Sequence, residues 1–160
     1  MRFLFVDRIA DVDLSRRIET SKHVSELDDV FADHFPGYPV LPGALVVEAF
    51  AQASQLLIAI SHDFARIGSL RRLSRVAFRR QVRPGDQLAI RCERRADGES
   101  PWTLDAVATV GAHRVATAVL EYTLEPAVPG TDAGRHAERL VALARELGHE
   151  PAATGARGGP

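Results

Sequence analysis

An imidazole and a carboxyl group fourteen residues apart, His34 and Glu48, are the side chains of this 160-residue chain best suited to moving protons. A histidine can be neutral near pH 7 and so accept a proton. A carboxyl group kept from water favours its protonated form and so can donate one. Each residue alone has a plainer reading, His34 as a surface-loop histidine and Glu48 as part of a solvated helix face. Their settings make them a candidate pair.

His34 opens the stretch His34-Phe35-Pro36-Gly37-Tyr38-Pro39-Val40-Leu41-Pro42-Gly43. Its three prolines and two glycines suit neither a helix interior nor a central strand, so it reads as a rigid loop. Residues 44–60 then read as a helix, rich in Ala and Leu, with Pro42 and Gly43 at its start. That helix is apolar nearly all round, as expected of one enclosed by the rest of a domain. Glu48, Gln52 and Gln55 nevertheless recur at i, i+4 and i+7, drawing one polar line along a buried rod.

His34-Phe35-Pro36-Gly37, Pro39, Leu41-Pro42-Gly43 and Glu48-Ala49-Phe50-Ala51-Gln52 together resemble the active-site segment of the FabZ family, the (3R)-hydroxyacyl-[acyl-carrier-protein] dehydratases. The spacing of His34 and Glu48 also matches. A glutamate at position 48 favours FabZ over the related FabA enzymes, which carry aspartate there. Phe78-Arg79-Arg80, Val82 and Pro84-Gly85-Asp86-Gln87-Leu88 extend the resemblance, which covers roughly residues 1–125. It implies an α+β hotdog fold, an antiparallel sheet wrapped around one long central helix, with residues 126–160 as a C-terminal extension.

The resemblance further implies dehydration of a 3-hydroxyacyl thioester to a trans-2-enoyl thioester, in fatty-acid or fatty-acid-like synthesis. That reaction needs a base at C2, an acid at the C3 hydroxyl and donors for the thioester oxygen. His34 is the candidate base and Glu48 the candidate acid. Gly43, whose N–H opens the helix, is placed to hold the thioester oxygen. By similarity the Val40 carbonyl orients the His34 ring, and Tyr38, Gln52 and Phe78 complete the substrate-binding set with Val40 and Gly43. The same resemblance implies that His34 of one subunit meets Glu48 of the other. A homodimer is therefore expected, with a trimer of dimers as a larger form.

Composition is ordinary for one soluble globular domain, at 46% hydrophobic and 26% charged residues. Cys92 is the single cysteine, which excludes an intrachain disulfide and a CxxC metal site and fits a cytoplasmic location. No cofactor and no metal are expected, and His23, His62, His113, His136 and His149 show no metal-ligand spacing. The apolar opening is too short for a signal peptide, and Glu48, Gln52, Ser54 and Gln55 argue against a membrane span. Charge is uneven. Ten arginines against Asp86 and Glu93 give residues 66–95 a local +8 within a net charge of −1. Bunched like charge steers partners. The reading preferred is a dock for an acidic acyl carrier protein on Arg71, Arg75, Arg79 and Arg83, rather than nucleic acid, for which no motif is present.

Residues 3–9 and 17–24 read as short strands, 25–33 as an acidic connection, and 62–69 as a linker ending at Gly68. Residues 70–82 fit a strand that alternates Ser74, Val76, Phe78, Arg80 and Val82 against Arg71, Leu73, Arg75, Ala77 and Arg79. After the Pro84-Gly85-Asp86 turn, Leu88, Ile90 and Cys92 alternate, then Trp102, Leu104, Ala106, Ala108 and Val110. Gly111-Ala112 closes a hairpin to residues 113–124. Residues 126–134 form a linker, 135–147 an amphipathic helix packed on the domain, and 150–160 a disordered tail.

Several positions depart from the family pattern. Tyr38 stands where many relatives have a second histidine, Asp33 where a glycine is frequent, and Gln81 where a proline is frequent. The loop before Leu70 has no aromatic residue of the kind that often gates an acyl tunnel. These departures leave acyl length and substrate shape open. Two rival activities remain, a hotdog thioesterase that hydrolyses the thioester and a non-catalytic acyl-carrier-binding subunit.

Overall fold

The computed structural model describes residues 4–151. Its organising element is a 19-residue helix, Gly43–Ser61 (α2), preceded by the short helix Val30–Asp33 (α1). Around α2 curls an antiparallel sheet of Arg8–Asp13 (β1), Arg17–His23 (β2), Arg66–Phe78 (β3), Gln87–Arg94 (β4), Trp102–Val110 (β5) and His113–Pro126 (β6). The strand order is β1-β2-β4-β5-β6-β3. A third helix, Asp132–Glu146 (α3), follows the sheet. This is the hotdog arrangement, with the helix as the filling.

The pattern of burial explains the wrap. Along β4, Leu88, Ile90 and Cys92 are buried while their neighbours face out, and β5 buries Trp102, Leu104, Ala106 and Ala108 in the same way. Alternation of period two puts these residues on the concave face, where they meet Phe50, Ala53, Leu57 and Ile58 of α2. The helix is long and apolar enough to cross a membrane by length and composition alone. Its apolar residues are instead spent on this core, which accounts for its hydropathy.

Several expected boundaries move. The first strand starts at Arg8 rather than Phe3, which lies outside the described residues; Phe5 and Val6 form a buried plug without strand pairing. The expected 62–69 linker is shorter, because a tight turn with positive φ at Asp63 and Phe64 lets β3 begin at Arg66. Gly68 therefore marks no turn. It lies in β3, where a Cβ would come within 2.6 Å of Ile58 Cδ1 and 2.9 Å of Tyr122, so only glycine lets the strand lie that close to the core.

The alternation expected over residues 70–82 also fails. The β3–β6 register slips between Leu70 and Arg72 and again between Ser74 and Ala77, and β3 ends at Phe78. Arg71 falls at the first bulge. Arg75, with φ of 50°, and Val76 fall at the second. The C-terminal helix begins slightly earlier than expected, with Thr131 Oγ1 capping the Gly134 N–H. Ala137, Leu140, Ala144 and Leu147 bury its apolar side in the same core. Most of the expected disordered tail, residues 152–160, lies outside the described residues.

Candidate active site

The loop carrying His34 is closed on itself by its own backbone. The Val40 N–H donates to the His34 carbonyl at 3.0 Å, and Phe35 and Tyr38 exchange N–H···O bonds at 3.1 and 2.9 Å. Within that ring His34 Nδ1 stands 2.9 Å from the Val40 carbonyl oxygen. A carbonyl can only accept, so Nδ1 carries a hydrogen, and in the neutral ring the lone pair is then on Nε2. The Phe35 ring stacks on the imidazole with centroids 4.1 Å apart. The histidine is thus half-buried and held in one orientation.

His34 lines a cavity of about 530 Å³. Val40, Leu41 and Gly43 form one wall, and Phe78, Arg79, Arg80, Gln81, Val82 and Ala116 the other. The two walls are tied where the Leu41 N–H donates to the Val82 carbonyl at 2.8 Å. Gly43 opens α2, with no side chain capping the helix and, among the described residues, no acceptor meeting its N–H. That donor and the positive end of the helix dipole both serve this cavity. Gly43 must be a glycine for a local reason as well. A Cβ there would lie 2.7 Å from Phe78 Cζ, inside the exposed ring that covers it.

Glu48 is placed differently from the sequence expectation. It is exposed on its own chain and does not line the His34 cavity, so its own fold does not supply the expected exclusion of water. The polar line itself is real and ordered. Gln52 Nε2 donates to Glu48 Oε1 at 2.9 Å, and Gln52 Oε1 accepts the Phe5 N–H at 2.8 Å. Gln52 therefore meets Glu48 rather than the cavity. Gln55, further along, meets His136 Nε2 of α3 at 3.2 Å. Burial, followed by the charge of Arg139, holds the His136 pKa below the usual histidine value.

The four arginines expected to dock a carrier are spread along β3 and the segment that follows it. Arg79 borders the His34 cavity, and Arg83 borders an adjoining cavity of about 590 Å³ lined also by Arg80, Gln81, Asp86 and His113. Arg71 donates to Thr123 Oγ1 at 2.8 Å, and it and Arg75 lie at the β3 bulges. Tyr38 lines neither cavity but touches residues that do. Its hydroxyl donates to Gln81 Oε1 at 2.9 Å and accepts from Arg83 Nη2 at 2.6 Å. Gln81 was visible in the sequence only as a departure from a family pattern, and nothing local announced that contact across 43 residues. Among the described residues no three His, Cys, Asp or Glu side chains converge as metal ligands would.

Comparison with known proteins identifies the family. The FabA-like domain matches residues 1–119. The 3-hydroxyacyl-[acyl-carrier-protein] dehydratase FabZ of Bacillus pumilus is 37% identical over 127 residues, covering 79% of this chain and 88% of that protein. Its namesake from Pelotomaculum thermopropionicum is 45% identical over 92 residues, which are 57% of this chain and 66% of the relative. Among solved structures, smu.793 from Streptococcus mutans UA159 bound to acetyl CoA superimposes with a TM-score of 0.62 at 18% identity, covering 74% of this chain and 88% of that one. That last likeness speaks for the fold alone. A half-buried histidine whose ring is oriented by a backbone carbonyl, lining a cavity of about 530 Å³, thus sits in a chain that belongs to the FabA-like family.

Proposed function

We propose that this protein removes water from a (3R)-3-hydroxyacyl thioester carried on acyl carrier protein, giving the trans-2-enoyl thioester, in fatty-acid or fatty-acid-like synthesis. The observation that carries the reading is the 2.9 Å contact from His34 Nδ1 to the Val40 carbonyl, which leaves Nε2 as a base beside the unpartnered Gly43 N–H. With the thioester oxygen held by Gly43, negative charge developing there meets a ready donor. His34 Nε2 takes the C2 proton, and the electron pair left behind forms the C2–C3 double bond. The C3–O bond breaks as Glu48 gives a proton to the departing hydroxyl, which leaves as water. Passing the proton from the imidazolium back to the carboxylate through solvent resets the pair.

Glu48 belongs in this scheme as the partner subunit's contribution. Its exposure on its own chain and its distance from its own cavity both suit an approach to a second copy. β3 offers the surface for one. Among the described residues it is an edge strand paired with β6 alone, and Leu70, Leu73, Val76 and Phe78 are 41, 40, 38 and 54% exposed along or at the end of it. A long apolar edge left in water is an unusual liability for a lone chain. Pairing β3 with a second β3 would cover it and bring α2 of one copy toward the cavity of the other. The homodimer is the smallest complete unit on this reading, and a trimer of dimers repeats it.

An acidic carrier protein docks at the cavity mouth, where Arg79, Arg80 and Arg83 form no salt bridge among the described residues, and Arg71 and Arg75 extend the positive field along β3. The cytoplasm, reducing and home to a soluble carrier, is the matching location. The test is mass spectrometry of 3-hydroxyacyl-carrier-protein panels of varied chain length after incubation with the protein. Loss of one water from the intact acyl-carrier supports the proposal. Release of a free acid identifies a thioesterase, and an unchanged panel identifies a binding subunit.

A further inference from the structure

Gln81 has a role that neither the acid–base pair nor the arginines explain. It borders both the His34 cavity and the adjoining one, as Arg80 and Val115 also do. Its carbonyl oxygen is engaged twice, by the Tyr38 hydroxyl at 2.9 Å and by Arg83 Nη2 at 3.3 Å. Arg83 is itself fixed, with its guanidinium 4.9 Å from the Tyr38 ring centre and its backbone N–H on Asp86 Oδ2 at 2.8 Å. Two donors on Oε1 settle which end of the amide is which. The Nε2 group is then turned away from Tyr38 and Arg83, and among the described residues it meets no acceptor. The result is a neutral pair of N–H donors, held in one orientation on a residue that lines both cavities.

We propose that Gln81, held by Tyr38 and Arg83, is a substrate-positioning residue that donates to an amide carbonyl in the flexible arm of the thioester substrate. This rests on the reading of the protein as acting on an arm-borne acyl thioester. A neutral amide N–H pairs best with a neutral carbonyl, since the charged donors nearby suit anions better. The adjoining cavity is lined by neither His34 nor Gly43, so the amide recognised there is the one further from the sulfur. Tyr38 and Gln81 act together in this device, because the hydroxyl that fixes the carbonyl comes from the loop that carries His34.

The experiment compares two small 3-hydroxyacyl thioesters, one on pantetheine and one on N-acetylcysteamine, which lacks the further amide. The decisive variant is Gln81→Glu. A carboxylate keeps two acceptors for Tyr38 and Arg83 but removes both N–H donors, so a purely structural latch survives and a donor does not. Wild-type protein should show a lower KM for the pantetheine thioester than for the short one. In Gln81→Glu and Gln81→Ala that advantage should shrink roughly five- to tenfold, the worth of one neutral hydrogen bond, with the loss in KM rather than kcat. Tyr38→Phe, which loosens the amide without removing it, should fall between. A Gln81→Glu protein that keeps the wild-type KM ratio overturns the proposal. Calorimetric binding of unacylated pantetheine separates this from the assignment of function. A wild-type protein that binds pantetheine more tightly than Gln81→Glu yet eliminates no water retains the donor and loses the dehydratase. One that eliminates water with the same KM ratio as Gln81→Glu retains the dehydratase and loses the donor.

Discussion

Gln52 holds Glu48 by an amide N–H···O contact of 2.9 Å, one turn along α2, and is itself oriented by the Phe5 backbone N–H at 2.8 Å. The buried plug at the start of the chain thus fixes the face of the carboxyl group that α2 presents outward. An exposed carboxylate on a free helix face would sample many rotamers. Here Oε1 is engaged by Gln52.

Gln52→Ala removes that restraint without touching the carboxyl group. Turnover of a 3-hydroxyacyl thioester should fall up to about tenfold, the worth of one positioning hydrogen bond, with KM little changed. Steady-state kinetics on one substrate decide it. Unchanged kcat would mean that Glu48 needs no positioning from its own helix.

Gly43→Ala places a methyl group where the Phe78 ring lies, 2.7 Å from Cζ. The ring has to shift into the cavity or the helix start has to move away from it, a change costing on the order of 1–3 kcal/mol. Activity should drop at least about tenfold while the fold survives, since Phe78 is exposed and not core. Pairing Gly43→Ala with Phe78→Ala should recover part of the loss, and full additivity in that double-mutant cycle would refute the steric account.

His136 gives a stability signature with a definite sign. Its pKa is lowered in the folded protein by burial and then by Arg139, so the unfolded chain takes up a proton at a higher pH than the folded one. Its contribution is present above the ordinary histidine value of 6.5 and is lost as pH falls from there through the lowered folded value. His136→Gln should therefore flatten the decline in denaturation midpoint below about pH 6.5. Parallel pH curves for the two proteins would show that the α3–α2 contact does not titrate.

Cys92 is fully buried, its thiol pushed up to about 12 by burial, with Sγ 3.7 Å from the Phe50 carbonyl. A thiol so placed is inert. Labelling by a water-soluble disulfide reagent at pH 8 should be negligible in native buffer and complete in denaturant. Rapid native labelling would show that the sheet opens around α2.

The parts legible in the sequence were those with local causes. Proline and glycine spelled the His34 loop, and Ala and Leu spelled α2. Single-face burial against α2 spelled the alternation of Leu88, Ile90 and Cys92. Misread parts had distant causes. Gly68 looked like a linker end because a glycine shows its freedom locally, whereas its reason here is contact with Ile58 and Tyr122. The bulges at Arg71 and Arg75 broke an alternation that a residue pattern alone would continue. The polar line on α2 was correctly seen, but whether Glu48 faced its own cavity depended on how the sheet curls. The Tyr38–Gln81–Arg83 cluster needed both ends of a long loop closure to be known at once.

If a working site takes His34 from one chain and Glu48 from another, two variants that are inactive alone should complement each other when mixed. His34→Ala and Glu48→Gln are each expected to be nearly inactive as separate proteins. Unfolded and refolded together in equal amounts, they should regain about a quarter of wild-type turnover, because half of the dimers then hold one intact site of two. A mixture as inactive as its parents, with heterodimers shown to be present by native mass spectrometry, would contradict the account.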